Sequence, residues 1–286
     1  PQGSQRIQCR NCKKVWTPKK YQKEITHPQA IETVQLFIPF QGASAVQKLY
    51  VLVSLDATRG NILHLSTNYT QHQTGDSLRY SYKGNTEPTM HHRDIVQKVD
   101  MREAQFLRRS QFDEIQYGSA VLKRNGKGAI LRPVITAHGH FRILKIRYPD
   151  VKTHIISHEC FLRGAIITAW ADQFRQQQGE LWFVEEEISD SNADTPWHFK
   201  GTTYHGWWQN QWQRWEQGNN CKMVCLLTGV CLERGANVSL ATSRCFITWL
   251  TDQHDFTQSA LLSAGRVAQM LTSLALKYNE SLTPSC

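Results

Sequence analysis

Apolar and polar residues alternate in the first third of the chain in the way that paired strands require. Leu49, Val51 and Val53 occupy every second position, a polar turn follows, and a second apolar run begins at Ile62. A period of two places alternate side chains on one face of a strand. The pattern predicts a hairpin whose first strand ends at Asp56.

Further helices and strands are expected along the rest of the chain. Apolar residues at helical spacing predict helices over 91–109, 162–174 and 259–278. An apolar run that begins at Ile130 predicts a short helix before residue 150. Short apolar runs bounded by turn residues predict strands at 78–82, 112–117, 155–156 and 181–187.

Strands and helices in this order predict an α/β fold, in which a mixed sheet is flanked by helices. A hairpin, a third strand, a helix and then strand–helix units follow the order of an RNase H-like core, which we place at 31–190. A Trp-rich, mainly helical C-terminal region is expected over 191–286. Trp208, Trp212 and Trp215 there have helical spacing, which favours packing in a core over stacking on bases.

The composition narrows the class of protein. The chain has 286 residues, 40% of them hydrophobic, with 33 basic residues against 24 acidic ones and only 8 cysteines. This cysteine content is too low for a disulfide scaffold, and a reducing, cytoplasmic compartment is the simpler expectation. The sequence predicts no membrane span and no secretory signal, because it lacks a long uncharged apolar stretch and a basic-then-apolar leader.

The net charge of +9 is concentrated near the beginning of the chain. Residues 1–24 carry seven basic residues against one acidic residue, which favours a polyanionic partner over a merely solvated tail. Double-stranded DNA is the first candidate. The basic residues expected to contact it are Arg6, Arg10, Lys13, Lys14, Lys19, Lys20, Arg108, Arg109, Lys123, Arg124 and Lys127.

Two cysteines in the basic segment have the spacing of a zinc knuckle. Cys9 and Cys12 are separated by two residues, and such a pair supplies two of the four ligands that Zn²⁺ requires. One knuckle is half a site, so the remaining ligands would come from His27 and another residue or from upstream of Pro1. We therefore interpret residues 1–30 as a small zinc-ribbon remnant.

Three acidic residues are candidates for a catalytic metal site. Asp56 ends a predicted strand, Asp113 lies in another, and Glu159 stands where a strand turns into a helix. Carboxylates that converge at strand ends hold Mg²⁺ or Mn²⁺ for phosphoryl transfer on nucleic acid. Each also has a structural interpretation, as a turn residue, a surface residue and a helix-start carboxylate respectively. The run at 185–187 is a competing source of the third acid.

Two segments near the beginning of the chain resemble a known protein family. QCRNCKKVWT is similar to the second knuckle of the zinc ribbons that open many bacterial insertion-sequence transposases, and LYVLVSLDATRG resembles the first strand of their DDE core. The likeness is specific over about 7–60 and looser afterwards. It implies an RNase H-like fold, a two-metal site with Asp56 as the first acid, DNA as the substrate and a bacterial, nucleoid-associated protein.

Two departures leave the function open. If ISHEC is aligned with the second acidic strand of the family, His158 stands where an aspartate is expected, and the first zinc knuckle is missing. The chain is then either a transposase that cleaves and joins DNA, or a descendant that binds DNA as a regulator without cutting it. A third alternative is a protein-interaction module. In that case the C-terminal region would dock a partner or a second copy of the chain.

Overall fold

The computed structural model describes residues 7–8, 15–16, 27–43, 45–71, 94–106, 128–190, 195–229 and 232–282. Twelve strands lie in these ranges. They are β1 (Ile7–Gln8), β2 (Val15–Trp16), β3 (Ala30–Gln41), β4 (Val46–Asp56), β5 (Ile62–Thr67), β6 (Tyr69–Thr70), β7 (Ala129–Ile130), β8 (Thr153–Ser157), β9 (Glu180–Glu187), β10 (His198–His205), β11 (Asn210–Gln217) and β12 (Asn220–Thr228).

The α-helices of the described ranges are α1 (Ile95–Phe106), α2 (Pro133–Arg147), α3 (Cys160–Ala169), α4 (Ala171–Arg175), α5 (Ala241–Thr251), α6 (His254–Thr257) and α7 (Ala264–Ser281). Two 3₁₀ turns, Leu232–Asn237 and Ser259–Leu261, connect elements of the C-terminal part. None of the described helices is long and apolar enough to cross a membrane.

Eight of the described strands form one sheet, in the order β10-β11-β12-β9-β8-β3-β4-β5. β8 lies between β3 and β9 and runs parallel to both, whereas the other neighbouring pairs are antiparallel. The prediction of an α/β fold with a mixed sheet flanked by helices is confirmed.

Helices cover both faces of this sheet. On the first face, Ser54 of β4 contacts His140 of α2, and α3 and α1 pack on the same side. On the second face, Glu32 of β3 is hydrogen-bonded to Ser243 of α5. Because both faces are covered, β4 is buried continuously from Leu49 to Asp56 and needs no polar face.

The order of strands differs from the prediction in one respect that matters for the site. The strand ending at Asp56 was expected to be the first of the core, but β3 precedes it and pairs with it along 11 residue pairs. Pro39 lies in the half of β3 beyond its pairing with β8, which involves only Ala30–Thr33, so it does not interrupt that parallel pairing.

The tryptophan-rich segment is also strand rather than helix, so the interpretation of its spacing as helical is wrong. Trp212 and Trp215 lie on β11, and Trp208 lies in the turn before it. Strands on both sides of the predicted boundary at 190 belong to one sheet, while the helices of the C-terminal region begin only after residue 231. The strands predicted at 78–82 and 112–117 lie outside the described residues.

Candidate functional site

A crevice opens at the carboxyl end of β8, close to the centre of the sheet. β8 ends at Ser157, whereas β3 continues to Gln41 and β9 to Glu187, so the two neighbours extend beyond it. Open α/β sheets bind ligands outside the carboxyl ends of their parallel strands. This topology makes the crevice the first place to look for a site.

The crevice contains a cavity of about 180 Å³ that is lined by both apolar and charged side chains. The apolar lining residues are Val34, Val184, Leu240 and Ile247. The polar and charged lining residues are Arg102, Ser157, Glu185, Glu186, Ser243 and Arg244. The site therefore combines apolar side chains with side chains of both signs of charge.

The acidic residues of the crevice are paired with arginines. Arg102 of α1 lies 3.1 Å from Glu185 through its Nε, and its Nη1 donates to the carbonyl of His158 at 3.1 Å. Arg244 of α5 forms an ion pair with Glu186, which also accepts the Leu240 N–H at 3.0 Å. These contacts neutralise the two carboxylates in place.

The same compensation extends to both sides of the crevice. Lys98 pairs with Glu187 at 2.5 Å. Glu32, which is 3% exposed, accepts the Ser243 N–H at 2.8 Å and the Ser243 hydroxyl at 2.9 Å. Burial raises the pKa of Glu32, although the hydrogen bonds from Thr242 and Ser243 oppose this shift. The run at 185–187 is thus tied to helices, and the α5 N-terminus already holds a carboxylate.

Asp56 lies at the opposite end of the strands. It pairs with Ile31, which is beside His154 near the beginning of β8. The Asp56 carboxylate accepts the N–H groups of Thr58 and Arg59 at 2.9 and 3.2 Å and thereby closes the turn between β4 and β5. The structure supports the interpretation of Asp56 as a turn residue.

Glu159 follows the carboxyl end of β8 and is the N-cap of α3. Its carboxylate accepts the Leu162 N–H at 3.1 Å and the Tyr50 hydroxyl at 3.3 Å. Burial and the nearby Glu159 charge raise the pKa of Tyr50 well above its ordinary value. Glu159 therefore has the structural role of a helix-start carboxylate.

The structure does not bring Asp56 and Glu159 together. Tyr50, the partner of Glu159, is six residues before Asp56 on β4, a separation of about 20 Å along an extended strand. Ligand oxygens of one Mg²⁺ lie within a few ångströms of each other. The structure therefore does not place the Asp56 and Glu159 carboxylates within reach of one shared Mg²⁺ or Mn²⁺.

The remaining predicted site residues lie outside the described part of the chain. These are the third acid Asp113, the cysteines Cys9 and Cys12, and the basic residues Arg6, Arg10, Lys13, Lys14, Lys19, Lys20, Arg108, Arg109, Lys123, Arg124 and Lys127. Among the described residues, no group of three or more His, Cys, Asp and Glu side chains is arranged to hold a metal ion.

A comparison with protein-family models, curated proteins and solved structures finds no match to this chain.

His158 has a structural environment that the sequence did not reveal. Its ring is buried between Phe183 and Trp212, with ring centroids 4.8 and 4.6 Å away. Its Nε2 lies 3.3 Å from Glu103, a buried carboxylate of α1. Burial lowers the pKa of His158, and although burial alone would raise the pKa of Glu103, the hydrogen bonds from His158 and Asn210 lower it.

Sequence reasoning also missed Gln35, Arg102 and Arg244 as residues of the crevice or its margin. Gln35 was missed because β3 was not predicted, and its side chain contacts Ser157. Arg102 and Arg244 neutralise acids that are more than 50 residues away in sequence. The only sequence feature that indicated the need for such basic partners was the acidic run at 185–187.

Proposed function

We propose that this chain is a DNA-binding regulator or recruitment factor built on an RNase H-like scaffold of transposase origin, and that it does not cut DNA. The scaffold part is supported by the strand order. β5, β4 and β3 are antiparallel neighbours, and β8 and β9 continue the sheet parallel to β3. Three antiparallel strands followed by two parallel ones is the arrangement of an RNase H-like sheet.

The proposal that the chain does not cleave DNA rests on the residues at the carboxyl end of β8. A two-metal site needs carboxylates that converge there, next to the neighbouring strand. Gln35 and Ser157 occupy the adjacent positions, Glu159 is engaged as a helix cap, and Asp56 closes a turn at the far end. Glu185 and Glu186 of β9 are paired with arginines, and Glu187 is paired with Lys98.

Binding to DNA is supported by the distribution of charge. The basic residues that exceed the acidic ones are concentrated in residues 1–24, around the Cys9–Cys12 knuckle. Lysine and arginine that neutralise phosphates release condensed counterions, so such binding weakens steeply as salt increases. The ribbon would bind the phosphate backbone of double-stranded DNA, and the core would contact other proteins at the bound DNA.

The binding half of the proposal is tested by fluorescence anisotropy with a labelled duplex. We expect affinity to fall by at least about tenfold between roughly 50 and 200 mM salt, because several phosphates are neutralised. Replacement of Lys13 and Lys14 by glutamate should weaken binding and reduce the salt dependence. Lys152→Glu, at an exposed position beside β8, is the matched control and should bind as the unmodified chain does. Salt-independent binding, or none, would refute the proposal.

A further inference from the structure

Two tryptophans are held in solvent at the tip of the β10–β11 hairpin. Residues 206–209 form the turn, and the side chains of Trp207 and Trp208 are 75% and 44% exposed. The transfer of a large aromatic side chain out of water is favourable. An exposed pair on an ordered turn therefore indicates a binding surface.

The turn is fixed to the body of the protein rather than free to collapse. Asn210, the first residue of β11, donates from its amide to both oxygens of Glu103 at 3.0 and 3.1 Å. His205, the last residue of β10, lies 2.5 Å from Asp100 of the same helix α1. One residue at each strand end is thus tied to α1, and their partners Asp100 and Glu103 lie about one helical turn apart.

The backbone of the turn is specialised as well. Gly206 has a φ of +77°, and a Cβ at this position would overlap the carboxylate of Glu103. Gln209 also adopts a left-handed conformation, with a φ of +51°, which costs a non-glycine residue free energy. The turn accepts this strain, and the two tryptophans between these residues keep a defined orientation.

A cation lies beside one of the two exposed rings. The guanidinium of Arg163, on α3, is 5.0 Å from the centroid of the Trp208 ring. Trp208 therefore sits on the first face of the sheet, beside α3. Phe199 and Tyr204 are the other exposed aromatic residues of β10. Tyr204 alternates with Thr203 and His205, which belong to the first face, and the bulge after Phe199 pairs that residue with Trp215, so both aromatic side chains point to the second face.

This arrangement is small, aromatic and cationic, which distinguishes it from a protein-docking surface. A stable protein interface buries about 800 Å² on each partner, and the exposed aromatic residues here are divided between two faces. An aromatic ring next to a guanidinium matches a nucleobase attached to its phosphate. Bases stack on exposed aromatic side chains without sequence preference, and arginine adds charge complementarity.

We infer that Trp207 and Trp208, with Arg163, bind unpaired nucleobases of DNA, a single strand or a distorted site in a duplex. This inference rests on the proposed function and deepens it, because it assigns the binding of unpaired bases to the hairpin tip, a surface separate from the basic segment. Double-stranded phosphates are bound by the basic segment, and bases that have left the duplex are bound by the hairpin tip.

The test compares a fully paired duplex, the same duplex with a few unpaired thymidines, and oligothymidine. We expect the unmodified chain to prefer the two DNAs with unpaired bases. Trp207→Ala and Trp208→Ala should each reduce that preference by about tenfold, in line with the loss of one stacking contact, and leave binding to the paired duplex unchanged. Leu261→Ala, an exposed apolar residue on a 3₁₀ turn, is the control and should change nothing.

Three other results would overturn the inference. If both tryptophan variants keep the preference while salt-dependent duplex binding persists, the hairpin tip does not bind bases but the proposed function stands. If the unmodified chain binds none of the three DNAs, the proposed function and the inference both fail. If the variants lose self-association in light scattering and keep the preference for unpaired bases, the tip is a protein interface instead.

Discussion

At the residue scale, two histidines between α2 and the sheet form a polar chain inside an apolar layer. Ser54 lies 2.8 Å from His140 Nε2, and Ser66 bridges His140 Nδ1 and His64 Nε2 at 2.9 and 3.0 Å. Burial lowers the pKa of His140 well below its ordinary value, and the His64 charge adds to this. Burial, with a smaller effect from Arg147, lowers the pKa of His64 to about 4.

These depressed pKa values predict that acid destabilises the fold. The unfolded chain takes up protons near pH 6.5, but the folded chain holds His64 neutral down to about pH 4, so stability is full above about pH 6.5 and lost as the pH falls toward 4. Because His64 is partly exposed and its interactions are screened by solvent, it should contribute on the order of 1 kcal/mol to this loss near pH 5.

Urea unfolding at about pH 7.5 and about pH 5 measures this loss. His64→Gln, which can retain a hydrogen bond to Ser66, should unfold with a weaker pH dependence than the unmodified chain. His198→Gln, at an exposed position of β10, should not. An equal pH dependence in the unmodified chain and both variants would contradict the account of this network.

The residue scale is also where sequence reasoning reached least far. That Asp56 closes a turn and that Glu159 begins a helix were both foreseen as alternatives, because local sequence signals these roles. Which acids approach one another depends on strand register, and the order of strands was misjudged once β3 was missed. His158 and Glu103 are partners although they are 55 residues apart in the sequence, and no local sequence pattern indicates such a contact.

At the element scale, the predictable elements were those with one dominant pattern. β4, β5 and β9 were predicted close to their observed bounds, since each has a clear apolar run, whereas the single helix predicted over 162–174 is divided into α3 and α4. The helix prediction for the segment with Trp212 and Trp215 was wrong because the spacing of its tryptophans occurs in strands as well as in helices. Pairing with β12 decides for the strand and places these two rings on opposite faces, opposite Cys225 and Lys222.

The start of α3 gives a prediction at this scale. Glu159→Ala should lower the free energy of unfolding by about 1 kcal/mol or more, because the Leu162 N–H and the Tyr50 hydroxyl lose their acceptor. Glu159→Gln keeps an acceptor oxygen and should cost less. Thermal unfolding measures both. If neither variant changes stability, Glu159 is not a structural cap and a ligand role returns.

At the scale of the whole molecule, the charge is divided between two kinds of place. Acids and bases of the described crevice are paired with each other, so the core has little charge left to hold a metal or a phosphate at the end of β8. The excess of basic residues lies in the first 24 residues. Binding to paired DNA is therefore expected from the basic segment, and the core is expected to carry no cleavage chemistry.

The most direct test of this central claim is the integrity of DNA strands under saturating binding. An end-labelled duplex is held by the protein at low salt with Mg²⁺ or Mn²⁺ and is then analysed on a denaturing gel. We predict that the DNA is bound completely and that every strand remains at full length. Metal-dependent nicks or joined strands that disappear in Asp56→Asn and Glu159→Gln would contradict the account.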